Sequence, residues 1–149
     1  MHWSKRIARA RHWSGHDWRG LWQGWMALLW AAWQLRRQPL PDLLAALQRQ
    51  PVSAHPAPPT ELVQGVQRAA HLFPRPMLCL PQSIAIARLL SQQGQPYAFL
   101  LGAQPKDETL AAHAWIEIEG IPINSPPDSA QRHPVLLEQA IPAGETGLR

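Results

Sequence analysis

The chain has one cysteine in 149 residues. That excludes an internal disulfide and any cysteine-built zinc site. Charged residues are scarce at 16%, against about 25% in an ordinary soluble domain. So low a content argues against a disordered polyelectrolyte and fits a globular chain with apolar contact surfaces. Long apolar runs are missing. The most apolar stretch, Trp25 to Trp33, is nine residues, whereas a membrane-spanning helix needs about 20. The basic start (Lys5, Arg6, Arg9, Arg11) is not followed by an apolar core and a small-residue cleavage site. These absences lead to the expectation of a cytoplasmic protein with no transmembrane segment. There are no internal repeats, and the 16 prolines are spread out rather than gathered into a rod. The length suits one domain, or one domain with an appendage.

What is present is uneven. Residues 1–50 carry a local charge of +6, and residues 51–149 carry −2. Seven of the eight tryptophans lie before residue 34. The composition therefore predicts a basic, Trp-rich helical region over 1–50, a Pro-rich linker over 51–59, and a separate core over 60–149.

Apolar periodicity predicts a helix over 17–37, capped by Asp17 or Ser14 and stopped by Pro39 and Pro41. Trp18, Trp22, Trp25, Leu29 and Trp33 form one stripe on it. A short helix is expected over 42–49. Another is expected over 61–71, with Thr60 opening a capping box. Cys79 should stand just before a helix whose first turn holds Pro81 and which Gly94 ends. Residues 96–101 read as a strand, 102–109 as a loop, and 111–119 as an alternating strand. Glu119-Gly120 is then a turn leading into a return strand over 121–124. A short helix is expected over 135–140. The order predicts an α+β fold: a Cys-bearing helix packed on a small antiparallel sheet, preceded by a helical region.

Cys79 is the first residue that could do chemistry. Amides at a helix start lack internal partners and, with the helix dipole, stabilise a thiolate. A small buried hydrophobe is the plain alternative. His113 shares a strand face with Trp115, Glu117 and Glu119, opposite the apolar face of Ala112, Ala114, Ile116 and Ile118. A turn at Glu119-Gly120 places Trp115 beside Asn124, on the His113 face and within its reach. Nucleophile, base and orienter are thus all available. Alternatively, Asn124 only begins the turn into Pro126-Pro127.

The string C-L-P-Q-S-I-A-I-A-R-L-L (79–90), followed by Gly94 and A-A-H-A-W-I-E-I-E-G (111–120), resembles the transglutaminase-like cysteine hydrolases. More narrowly it resembles the leader peptidases of lasso-peptide biosynthesis, the B proteins. The resemblance implies a papain-like reaction needing no cofactor or metal. Cys79 would be the nucleophile and His113 the general base. The superfamily's third member is usually an Asp. Here Asn124 stands first in line, with Ser125 next to it and Asp128 as the second candidate. The Cys79 N–H would be an oxyanion donor. The implied substrate is a ribosomally made precursor peptide. An ATP-dependent macrolactam cyclase would act next. Because residues 1–73 show no strand-rich pattern, leader recognition is assigned to a separate partner protein.

Part of residues 3–33 is a candidate docking surface, since tryptophan and arginine are enriched at interfaces. Replacing Trp3, Trp13 and Trp18 by Ala should then weaken co-purification without unfolding. A core role for the stripe is the rival reading. Nucleic-acid binding by the basic start has no accompanying motif. Histidines 2, 12, 16, 55, 71 and 133 have no spacing that builds a metal site. Two rival functions remain: another amide hydrolase or acyltransferase, and a non-catalytic docking protein.

Overall fold

A computed structural model describes residues 12–52 and 57–144. Trp3 and the basic start lie outside them. Helix α1 (Gly15–Arg37) opens with a capping box: Asp17 N–H donates to Ser14 Oγ, and the Asp17 carboxylate accepts from the Ser14 N–H. Both expected capping residues take part. Helix α2 (Leu40–Gln48) starts two residues earlier than expected, with Pro41 accommodated in its first turn. Helix α3 (Pro59–Leu72) corrects the expected capping box. Its N-cap is Pro58, without a side-chain cap, and Thr60 already lies inside the helix. Pro59 supplies helical φ at the first position, so the helix starts before Thr60 can cap it. Helix α4 (Cys79–Gln92) includes Cys79 as its first residue. Ile84, Ile86 and Leu90 are all fully buried, so α4 is apolar nearly all round and sits at the centre.

Strands β1 (Tyr97–Lys106) and β2 (Thr109–Ile118) form an antiparallel hairpin. Residues 102–106 therefore belong to a strand rather than the expected loop. The partner strand provides a ladder from Gly102↔His113 to Lys106↔Thr109, and the turn is only Asp107-Glu108. The Glu119-Gly120 turn is present, with both residues at positive φ. Strand β3 is only Ile121–Pro122, shorter than the return strand expected over 121–124. After one-turn helix α5 (Ser129–Arg132), Val135–Ile141 forms β4 on the other edge of β1, where a helix was expected. That edge carries unpaired backbone groups, and pairing them outweighs a short stretch's weak helical preference. The sheet order is β3-β2-β1-β4.

One core cluster joins Leu28 and Ala31 of α1, Leu43 and Leu47 of α2, and Val66 of α3 to α4, Phe99, Ala114 and Ile116. Helices on both sides of the proline-rich segment share it. α4 contacts β1 and β2 as well as α1 and α3. Helices α1 and α3 cross with backbones in contact. A Cβ on Gly24 would lie 2.4 Å from the Gly65 carbonyl oxygen, and one on Gly65 would lie 2.6 Å from that of Gly20. The α1 core face is thus built from small residues (Gly24, Ala27, Ala31) with Leu28, not from the tryptophan stripe. Trp18, Trp22, Leu29 and Trp33 are exposed, together with Met26. Trp25 alone of the expected stripe turns inward and packs on Phe73 at 5.1 Å. No helix among the described residues is long and apolar enough to cross a membrane.

Candidate active site

Cys79 is the first residue of α4, after Leu78 as N-cap. No side chain caps this end. Proline at 81 removes one of the orphan first-turn donors, leaving the Cys79 and Leu80 amides free of intrahelical partners. Gln82 Nε2 donates to the Met77 carbonyl at 2.7 Å and pins the incoming segment. The thiol is half-buried and packs on the core beside Met77 and Leu80.

One turn further on, on the same helical face, Ser83 is fully buried. Its hydroxyl donates to the Ala114 carbonyl at 2.9 Å and accepts from Asn124 Nδ2 at 3.0 Å. Asn124 Oδ1 accepts the Ile116 N–H at 2.8 Å. The side-chain amide thus stands in for the rung of the ladder that β3 is too short to provide. Two polar residues tie the Cys79 helix to β2 beside His113.

Asn124 therefore does not hold the imidazole, contrary to expectation. Its amide is taken up by the Ile116 N–H and the Ser83 hydroxyl. Its neighbour holds the ring: His113 Nε2 lies 2.7 Å from Ser125 Oγ. Ser125 is hydrogen-bonded to Ser129 Oγ, and Ser129 donates to the Pro126 carbonyl at 2.6 Å. Counting protons fixes the direction. A carbonyl can only accept, so the Ser129 proton is committed to Pro126. Ser125 must then donate to Ser129, and His113 must donate to Ser125. Neutral His113 carries its proton on Nε2, and its lone pair is on Nδ1. Asp128 is not part of this chain; its carboxylate pairs with Arg132 Nε at 2.6 Å.

The His113 ring stacks on Trp115 at 5.6 Å and lies 5.0 Å from the His133 ring. Trp115 is wholly buried, and its Nε1 donates to Glu117. Gly102 faces His113 across the hairpin. A Cβ there would meet the His133 carbonyl oxygen at 2.5 Å, so only glycine lets His133 approach. Burial pushes the His113 pKa below the usual 6.5, and His133 nearby adds to the lowering. The ring therefore stays neutral at neutral pH, with a basic nitrogen. Ala114 and Ile116 face α4 from the core side of β2, and His113 and Trp115 lie on the other side. Among the described residues no hydrogen bond reaches Cys79 Sγ. Ser83, whose hydroxyl donates to the Ala114 carbonyl, joins the Cys79 helix to the His113 strand without touching either reactive group.

Sequence reasoning missed Ser83, Ser129 and His133 as parts of this region. Ser83 was visible as a polar residue one turn after Cys79 on an apolar face. Ser129 and His133 reach His113 only through chain folding. Among the described residues no group of three or more His, Cys, Asp or Glu side chains could hold a metal.

A cysteine opening a central helix, packed on an antiparallel sheet whose second strand bears histidine, matches one family model. The family is described as the transglutaminase-like superfamily, and its model matches residues 25–138, about three quarters of the chain. The chain belongs to the transglutaminase-like superfamily. The match starts inside α1 and ends inside β4. The second half of the tryptophan-bearing helix, from Trp25 on, thus lies within the transglutaminase-like match, and Trp18 and Trp22 lie before it. Comparison with curated proteins and with solved structures found no match. Membership supports papain-like amide hydrolysis or acyl transfer as the general chemistry.

Proposed function

We propose that this transglutaminase-like protein is a cysteine peptidase that removes the leader from a lasso-peptide precursor. Cys79 Sγ attacks the scissile carbonyl. His113 Nδ1 takes the thiol proton and then delivers it to the leaving amine. The acyl-enzyme is hydrolysed by water activated at the same nitrogen. The Cys79 N–H, free at the helix start, donates to the oxyanion. Ser125 acts as the positioning residue by accepting from Nε2.

The observation that carries the reading is the hydroxyl chain Ser125–Ser129–Pro126, which leaves the His113 lone pair on Nδ1. His113 and the Cys79 helix lie on opposite faces of β2, so the reaction requires a rearrangement on substrate binding that brings Nδ1 to the sulfur. The narrower assignment is supported by the C-L-P-Q-S and H-A-W strings and by the helical character of the described part of residues 12–72. That helical part offers no strand-rich leader-recognition module. A separate recognition protein and an ATP-dependent cyclase are therefore proposed as partners.

The test is incubation of precursor peptide with this protein and its recognition partner, followed by mass spectrometry. A free leader fragment supports the proposal, and its loss in Cys79→Ala assigns the thiol. A mass-shifted conjugate would instead identify an acyltransferase. Unchanged activity in Cys79→Ala would leave a docking role.

A further inference from the structure

Helices α1, α3 and α4 enclose a groove of about 610 Å³, lined by neither Cys79 nor His113. Beyond Trp30 and Arg88 a smaller cavity of about 190 Å³ reaches α2. The groove carries two acids, and both are occupied. Asp17 pairs with Arg68 at 3.1 Å, and Glu61 with His16 at 2.8 Å. Arg88 and Arg19 have no acidic partner among the described residues. The Arg88 guanidinium lies flat on Trp30, 4.2 Å from the ring centre. Its Nη1 is shielded from water and meets no acceptor. A guanidinium stays charged, so an orphaned buried N–H on it is a standing cost that an anion would remove. Trp22 and Met26 stand exposed on the lip, 64% and 48% accessible.

We propose that this groove binds an acidic peptide segment. A carboxylate seats on Arg88, and the adjoining apolar side chain lies against Trp22 and Met26. Planar carboxylate matches the guanidinium fork, and the charge excess of the groove is positive. A polyphosphate strand is disfavoured because the Asp17 and Glu61 carboxylates line the same walls and would repel it. A flat lipid headgroup layer is disfavoured because Arg88 lines a concave groove, stacked on Trp30, and does not stand on an open face. The inference does not depend on the thiol chemistry.

The test uses the full chain and a fluorescein-labelled peptide of repeated Glu-Leu-Ala units, with the same peptide carrying Gln for Glu as comparison. Anisotropy should show saturable binding of the Glu peptide, about tenfold tighter than the Gln peptide. Arg88→Gln should erase that preference, and Arg88→Lys should keep part of it. Trp22→Ala, at an exposed position, should weaken both peptides without changing the far-UV spectrum. It carries the test where Arg88→Gln does not fold. Failure of the Glu peptide to bind, or equal binding of both peptides, overturns the proposal. So does undiminished binding by folded Arg88→Gln. Arg88-dependent binding of a DNA oligonucleotide or of phosphatidylglycerol vesicles, with none of the peptide, overturns it as well.

Discussion

His113 Nε2 lies 2.7 Å from Ser125 Oγ, and the hydroxyl behind Ser125 decides that the imidazole is the donor. Ser125→Ala should free the ring to populate both tautomers. Nitrogen-15 shifts of His113 would read this directly, without any assay of turnover. In the leader-removal assay kcat should fall about ten- to a hundredfold with KM little changed, the size of effect expected of a positioned acid–base group. A single unshifted Nε2–H tautomer in the variant would refute the assignment.

Cys79→Ser should leave the thermal unfolding transition close to wild type, because the half-buried sulfur makes no hydrogen bond among the described residues. Peptide cleavage should drop below detection. Residual cleavage near the wild-type rate would remove Cys79 from the mechanism.

Asn124 and Ser83 act on stability. Asn124→Ala strips the Ile116 N–H of its acceptor. Each of Asn124→Ala and Ser83→Ala should cost about 1–3 kcal/mol in urea unfolding, as expected for a buried group left unpaired. The double variant should cost less than the sum, since the two share the 3.0 Å bond. Strict additivity would mean the bond contributes nothing.

The pH dependence follows from the His113 environment. Its folded-state pKa is depressed, first by burial and then by His133. As pH falls below 6.5, the unfolded chain takes up a proton that the folded chain still refuses. Stability therefore drops on acidification through this window and is fully present above it. His113→Asn should flatten the melting temperature between neutral pH and about pH 5. His133→Asn should raise the His113 titration midpoint in an NMR titration. A midpoint that stays put would show that the neighbouring ring exerts no electrostatic effect.

The crossing of α1 and α3 is tested by Gly24→Ala. The added carbon has backbone, not a flexible side chain, 2.4 Å away. The helices must separate, at a cost of about 1–3 kcal/mol or more. Calorimetry should show a lower melting temperature. An unchanged one would mean the helices do not meet there.

Much of this was legible from residue order. Pro39 with Pro41, Gly94 and Glu119-Gly120 act over one or two residues, so the ends they mark are local properties of the chain. Val135–Ile141 reads as helix from its local sequence because its strand state depends on β1, more than thirty residues away. Residues 102–106 looked like a loop because Gly102 and Pro105 are poor strand formers in isolation, and hairpin pairing overrides that preference.

The candidate site divides the same way. Cys79 at a helix start and His113 on an alternating strand are facts of local sequence, set by proline geometry and a two-residue period. The partner of the imidazole is not. Asn124 and Ser125 are adjacent and chemically equal to the task on paper. β3 ends at Pro122, the chain turns off the sheet, and Asn124 is drawn to the unpaired Ile116 amide while Ser125 is left for His113. Which of two neighbours meets a ring depends on where a ladder stops, and that is settled only when distant strands and helices pack.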